Sequence, residues 1–184
     1  MQETQTFASF VADTCYADLP PSLVAECKIA TLDAFAAAFV GSSLPWAQRV
    51  VEMAHELGGT PDVCVVNQPW KADISRAALA NGAMIGAFEC EPLTGSHAAG
   101  TVLPAALAVS QRDHRDGKAF LLAIALGFEL SGRLQRTAVG LENTRGFHNP
   151  GIQGPFGAAA AVGKLRGFDA ATLASALGFA GSCA

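Results

Sequence analysis

One stretch of the chain, residues 145–163, joins a loop rich in glycine and proline to a run of alanines. Gly151 and Gly154 admit positive φ angles and Pro150 fixes its own φ, so the loop is predicted to adopt defined turns. Pro155 is predicted to open a helix, because its missing N–H costs nothing at a first helical position. Since most of the residues that follow are Ala or Gly, this helix has a thin flank that other backbones can approach closely.

A histidine stands ahead of each of two such helices. His148 is followed by Gly three positions on and Pro seven positions on, and His97 shows the same spacing. Thr101 is predicted as the N-cap of the second helix, with Pro104 in its first turn. A helix start suits a carboxylate with an acid/base group beside it, so the pattern predicts that both histidines face one pocket. It is an equally open interpretation that Gly and Pro simply mark the starts and ends of helices, and that the two spacings agree by chance.

Composition excludes two classes of partner. Of the 184 residues 51% are hydrophobic and 15% charged, so we expect more burial than a solitary domain of this size achieves. A net charge of −4 without any Lys/Arg cluster argues against a nucleic-acid partner. The longest uncharged apolar run, 119–128, is too short to span a bilayer, and no signal peptide is evident. No membrane partner is therefore predicted.

The five cysteines are odd in number and form no close pairs. This pattern fits a reducing compartment, and it shows no ligand spacing for zinc or an iron–sulfur cluster. We therefore expect a cytoplasmic protein with no metal site.

Apolar periodicity predicts helices along most of the chain, and only residues 62–67 read as a short strand. The predicted fold class is all-α, a multi-helix bundle with at most one short β element. Residues 30–40 are apolar nearly all round, which predicts burial on most sides of their helix. The predicted helices cover residues 4–16, 22–40, 45–57, 74–88, 102–111, 118–139, 155–165 and 170 onward.

Short segments along nearly the whole chain resemble the N-terminal part of the MmgE/PrpD family, which includes 2-methylcitrate dehydratase and cis-aconitate decarboxylase. The segments are Phe7-Ala-Ser-Phe-Val-Ala, residues 32–41, residues 77–83, His97 through Leu107, Arg145-Gly-Phe-His148, residues 157–161 and residues 176–182.

The resemblance implies a two-domain protein, with residues 1–184 in an all-helical domain that is incomplete at its C-terminal end. A smaller α/β lid domain, absent from this chain, would follow, and the apolar character kept up to Ala184 agrees with that expectation. It further implies a homodimer, catalysis without metal or organic cofactor, and two active-site histidines that correspond to His97 and His148.

Some loop positions depart from the family pattern. Where the family commonly has Asp-Phe-Asp-Asp-Thr, this chain reads Ala87-Phe-Glu-Cys-Glu91. Glu89 and Glu91 are secondary candidates that would orient an imidazole, with a solvated loop as the alternative. Arg145 is a candidate to pair with a substrate carboxylate, with a surface salt bridge as its alternative.

Two functions are predicted. In the first, the chain is the helical domain of a cofactor-independent lyase or isomerase, dehydratase-like, that acts on a small di- or tricarboxylic acid. A base removes the proton α to a carboxylate while an acid protonates the departing hydroxyl, and histidine suits both roles because its reference pKa is about 6.5. In the second, the chain is a non-catalytic helical module for anion binding or dimerisation, or a remnant that lacks the catalytic lid.

Overall fold

The computed structural model describes residues 2–90, 97–138, 146 and 148–183. Within these residues the chain forms eight α-helices and one small sheet, which confirms the all-α prediction. The elements are α1 (Gln2–Asp13), a 3₁₀ turn (Tyr16–Asp18), α2 (Pro21–Gly41), α3 (Pro45–Glu56), β1 (Val63–Cys64), β2 (Lys71–Ala72), α4 (Ile74–Ile85), α5 (Ala98–Arg112), α6 (Gly117–Ala138), α7 (Asn149–Arg166) and α8 (Ala170–Cys183).

Local sequence sets several helix starts. Pro21 and Pro45 occupy the first positions of α2 and α3, where a proline disturbs no helical hydrogen bond. Asp73 caps α4, and its carboxylate accepts hydrogen bonds from the N–H groups of Ser75 and Arg76 at 3.0 and 3.2 Å. These starts follow from the residue types alone.

Two helices begin earlier than predicted. α5 starts at Ala98 and α7 at Asn149, so Pro104 and Pro155 lie inside their helices instead of in the first turns. An interior proline withholds one N–H from the helical ladder and disfavours a helix. Here the packing of both helices into the centre of the bundle outweighs that penalty.

The centre of the bundle is a contact between α5, α6 and α7 that depends on small residues. A Cβ atom built on Gly157 of α7 would overlap the Ser131 Oγ and lie 2.8 Å from the Gly127 carbonyl oxygen of α6. Val102 of α5 packs against the same position, because its Cγ2 would also lie 2.8 Å from that Cβ. The alanine- and glycine-rich sequence of α7 therefore brings three helix backbones together.

The small sheet is tied to α4 by a buried amide. β1 and β2 pair in an antiparallel manner. The side chain of Asn81 accepts a hydrogen bond from the Val66 N–H at 2.8 Å and donates one to the Cys64 carbonyl at 3.1 Å. Because these bonds satisfy the buried amide, α4 continues through Asn81-Gly82 without a break.

Helix α2 contradicts one prediction, since residues 30–40 are not buried on most sides. Ala34 and Ala38 are buried on the face that packs towards α4. On the opposite face Leu32 is 72% exposed and Phe39 is 55% exposed. The reason is geometric: no other described helix lies over that outer face.

We predict that Gly157→Ala lowers the free energy of unfolding by about 2 kcal/mol, because the added methyl group has no room beside α6. Gly178→Ala is the matched control, since a Cβ at that position of α8 meets nothing within 4 Å. The control is expected to raise the free energy of unfolding by up to about 1 kcal/mol. Urea unfolding followed by circular dichroism measures both changes, and equal effects at the two sites would contradict the close approach.

We also predict that Asp73→Ala lowers the free energy of unfolding by about 1 kcal/mol at neutral pH through loss of the cap. The Arg76 guanidinium, together with the N–H groups at the start of α4, holds the pKa of Asp73 below its ordinary value. This stabilisation is present above the carboxyl group's unfolded pKa of about 4 and is lost as the pH falls through the lower folded pKa.

The difference between wild type and Asp73→Ala should therefore shrink as urea titrations are moved from neutral to acidic pH. Asp62→Ala, an exposed position before β1, serves as the control and should show no such difference.

Candidate functional site

Helices α5 and α7 run in the same direction, so their first turns lie at one end of the bundle. Near the starts, a Cβ built on Gly154 would lie 2.9 Å from the Thr101 Cβ. At the far ends, the Arg166 Nε lies 3.5 Å from the Asp113 Oδ2. With a rise of about 1.5 Å per residue, His148 then lies about 3 Å farther than His97 towards the N-terminal side of this matched pair. The structure brings the two histidine-bearing helix starts together.

Two other helices finish at the same end. α6 runs antiparallel to α7, since the Ser131 hydroxyl lies 3.5 Å from the Gln153 carbonyl near the start of α7. α4 ends beside the start of α5, because a Cβ built on Gly82 would lie 2.9 Å from the Gly100 carbonyl oxygen. The last turn of α6, which contains Arg136, therefore lies at this end of the bundle.

His97 is itself the N-cap of α5, instead of the predicted Thr101. Its backbone is left-handed, with φ +59° and ψ +34°, and its side chain is half-buried. A left-handed backbone is uncommon outside glycine and costs on the order of 1 kcal/mol, and strain of this kind is concentrated at functional sites. The carbonyl of His97 accepts the first hydrogen bond of the helix, from the Gly100 N–H at 3.0 Å.

His148 is the N-cap of α7 and is exposed. Its backbone is extended, and its carbonyl accepts a hydrogen bond from the Ile152 N–H at 3.2 Å. A Cβ built on Gly151 would lie 3.6 Å from the His148 Nδ1, so the imidazole lies over the first turn of its own helix. An alanine Cβ at position 151 would therefore be in ordinary van der Waals contact with the ring.

Neither imidazole caps the helix that it precedes. The first-turn N–H groups of α5 and α7 are therefore not occupied by these side chains, and the positive ends of two helix dipoles lie at the same end of the bundle. Such a place binds anions, and the two imidazoles can exchange protons with whatever binds there.

The remaining predicted site residues are only partly placed. Glu89 is exposed with a φ of +54°, shortly after the end of α4, which lies beside the start of α5. Glu89 therefore leaves α4 at the end of the bundle that carries the histidines. Glu91 and Arg145 lie outside the described residues, so their predicted roles stay predictions.

A buried amide at the start of α7 is a polar feature that the sequence analysis missed. Gln153 is 1% exposed, and its Nε2 donates to the Asn149 Oδ1 at 3.4 Å. Its Oε1 has no hydrogen-bond partner among the described residues. A buried polar atom without a partner is costly, so this oxygen can accept a hydrogen bond from a water or a ligand. A single Gln among small residues was the only sequence signal.

A cavity of about 950 Å³ lies between α1, α2 and α6, and Ala99 in the first turn of α5 forms part of its wall. Neither histidine lines it. Its charged lining is mostly acidic, with Asp18, Glu26, Asp33 and Glu129 against the single Arg136. This charge opposes a polycarboxylate, so the cavity is not the predicted substrate site.

The part of the chain that the structure describes contains no cluster of three or more His, Cys, Asp or Glu side chains arranged to hold a metal ion. In the same residues, no helix combines the length and the apolar character needed to cross a membrane. All five cysteines are free thiols, and burial raises the pKa of the Cys27 thiol to about 11.

Comparison with known proteins agrees with this architecture. Residues 5–184 match the MmgE/PrpD N-terminal domain. The chain is 29% identical to the cis-aconitate decarboxylase-like protein oryM of Aspergillus oryzae over 96% of its own length and 39% of the relative. It is 31% identical to the cis-aconitate decarboxylase of Aspergillus terreus over 89% of its length and 35% of the relative. For the cis-aconitate decarboxylase of Mus musculus the identity is 25%, over 96% of this chain and 38% of the relative.

We predict that Gln153→Met raises the free energy of unfolding by about 1 kcal/mol, because an apolar side chain of similar length removes a buried oxygen without a partner. Urea unfolding of wild type and variant measures the change. Asn81→Met is the control, since Asn81 is equally buried but fully engaged, and it should be strongly destabilising. A similar loss at both positions would show that the Gln153 oxygen is paired.

Proposed function

Since this chain belongs to the MmgE/PrpD family, we propose that it forms the helical part of a lyase-type enzyme that acts on a small di- or tricarboxylic acid. The chain spans between 35% and 39% of the length of the curated relatives named above, so the activity is proposed for the whole protein. The names of these relatives, cis-aconitate decarboxylase or cis-aconitate decarboxylase-like, favour decarboxylation of an unsaturated tricarboxylate, with dehydration of a hydroxy acid as the related lyase reaction.

One observation supports this function above the others: two helix starts, each preceded by a histidine, lie together at one end of the bundle. The first-turn N–H groups would hold the substrate carboxylates, because they combine hydrogen-bond donors with a positive dipole. Arg145 would pair with a further carboxylate, and Glu89 and Glu91 would orient the imidazoles.

Both candidate reactions require proton transfer between the substrate and a protein side chain. In a decarboxylation, the bond between a substrate carbon and its carboxylate breaks and carbon dioxide leaves. The electron pair of that bond stays on the substrate, and an imidazolium donates a proton to the carbon that receives the pair. In a dehydration, a neutral imidazole removes the proton α to a carboxylate, and an imidazolium protonates the departing hydroxyl, which leaves as water.

His97 and His148 are the residues that we propose for these transfers. His97 is half-buried and has a left-handed backbone, and the exposed His148 immediately precedes the first residue of its helix. We further propose that the reaction needs no metal or organic cofactor, that the protein is cytoplasmic and that it is a homodimer, as the family resemblance implies.

A second candidate function arises because the chain covers less than half of the length of its relatives. A helical domain with two anion-binding helix starts would hold a carboxylate without turning it over if the remaining catalytic groups lie elsewhere. In that case the chain is a binding or dimerisation module.

We predict that His97→Ala and His148→Ala each lower kcat/KM for cis-aconitate by at least about 100-fold, the range expected for loss of a general acid or base. His114→Ala is the matched control, because His114 is also a left-handed residue, with a φ of +50°, but is exposed beyond the end of α5. The assay follows carbon dioxide release and, with 2-methylcitrate, the ultraviolet absorbance of the alkene product.

Full activity in both histidine variants would remove the site assignment. Binding of cis-aconitate by calorimetry without turnover, weakened by the same two substitutions and not by His114→Ala, would favour the binding module.

A further inference from the structure

The side-chain amide of Gln153 lies at the start of α7, within the end of the bundle that carries the two histidines. A helical side chain leans towards the N-terminus of its own helix, and the Gln153 Nε2 accordingly reaches back one turn to the Asn149 Oδ1, at 3.4 Å. Asn149 is the first residue of α7. The Gln153 amide is therefore level with the first turn of the helix, where the first N–H groups lie.

Two other helices lie beside this amide. The Ser131 hydroxyl of α6 lies 3.5 Å from the Gln153 carbonyl oxygen, and the next residue of α7, Gly154, lies against Thr101 of α5. Gln153 is 1% exposed, and its Oε1 has no hydrogen-bond partner among the residues that the structure describes. A buried acceptor that lacks a donor thus accompanies the two helix starts.

An acceptor is unexpected at a site that is suited to anions. The first-turn N–H groups of α5 and α7 are donors, which suit the carboxylates of the proposed substrate. An amide oxygen binds only a donor. At neutral pH the carboxyl groups of a di- or tricarboxylic acid are ionised, since reference carboxyl pKa values are about 4, and they then offer acceptors alone. A hydroxyl group is the donor that such a molecule can carry.

The Asn149 side chain covers the amide only weakly. Asn149 is half-buried, and its 3.4 Å bond from Gln153 is long for an N–H···O hydrogen bond. Because little is lost when this bond breaks, the Asn149 side chain can turn aside and open a path from the helix start to the Gln153 amide. A small group on a ligand held at the helix start can then reach the oxygen.

We propose that Gln153 is a specificity-determining residue, whose Oε1 accepts a hydrogen bond from the hydroxyl group of a hydroxylated di- or tricarboxylic acid held at the starts of α5 and α7. This inference rests on the proposed function and adds the group that recognises the hydroxyl. A ligand without that hydroxyl leaves the buried oxygen unpaired, so the site discriminates against it.

The same hydrogen bond fits the dehydration. The hydroxyl group keeps its own proton in the bond to Gln153 and turns a lone pair towards the imidazolium. The imidazolium supplies the second proton as the carbon–oxygen bond breaks, and the group leaves as water. Gln153 therefore favours dehydration of a hydroxy acid over decarboxylation of an unsaturated acid, which has no hydroxyl group to donate.

The test compares citrate with tricarballylate, two tricarboxylates that differ only in the hydroxyl group of citrate. In calorimetric titrations, wild type is expected to bind citrate at least about tenfold more tightly than tricarballylate. Gln153→Met keeps the length of the side chain and removes the acceptor, so its affinities for the two acids should agree within about twofold. Gln153→Leu, a second variant without the acceptor, should behave in the same way.

The matched control is Gln111→Met, the same substitution near the far end of α5, about 20 Å along the helix from His97. It should keep the wild-type preference for citrate within about twofold, because distant sites act independently. Circular dichroism shows that each variant is folded before it is titrated. In turnover, Gln153→Met should lower kcat/KM for 2-methylcitrate at least about tenfold and change that for cis-aconitate by less than about twofold.

The possible results separate this inference from the proposed function. Equal affinities of wild type for the two acids, or a preference for citrate that persists in Gln153→Met and Gln153→Leu, would overturn the role of Gln153 and leave the proposed function in place. Binding of neither acid by wild type would overturn both, because the anion site itself would then be absent.

Discussion

The close approach of α5, α6 and α7 is the contact on which the rest of the structure depends. Gly157 leaves no room for a side chain between Ser131, Gly127 and Val102, so the three helix backbones come close together there. Because α7 lies parallel to α5 and antiparallel to α6, this one contact sets which helix ends come together. It places the starts of α5 and α7 beside the ends of α4 and α6.

That arrangement is also the physical reason for proposing His97 and His148 as site residues. A single helix start binds an anion weakly in water, whereas two starts at one end offer more than one set of N–H donors to a molecule with several carboxylates. The left-handed backbone of His97 costs stability, and so does the amide oxygen of Gln153, which has no partner within the described part of the chain. Local features that reduce stability close to one site agree with a functional role for that site.

The outer face of α2 poses a separate physical problem. The exposed apolar side chains of this face contribute nothing to the described core, and their contact with water is energetically unfavourable. The all-round apolar composition of residues 30–40 predicted burial on most sides of this helix, and the exposed outer face contradicts that prediction. It could not indicate that the second face would stay outside this bundle, because periodicity identifies faces and not the neighbours that cover them.

By itself the sequence determined the helical class, most helix positions and the two histidines ahead of small-residue helices, because these follow from local periodicity and residue type. It misplaced the starts of α5 and α7, since Pro104 and Pro155 read as first-turn residues. Tertiary packing decided those starts, because burial of both helices offsets the hydrogen bond that each interior proline withholds. Packing alone also decided that the two helices run parallel and that Gln153 lies buried among small residues, because these properties depend on contacts between residues far apart in the chain.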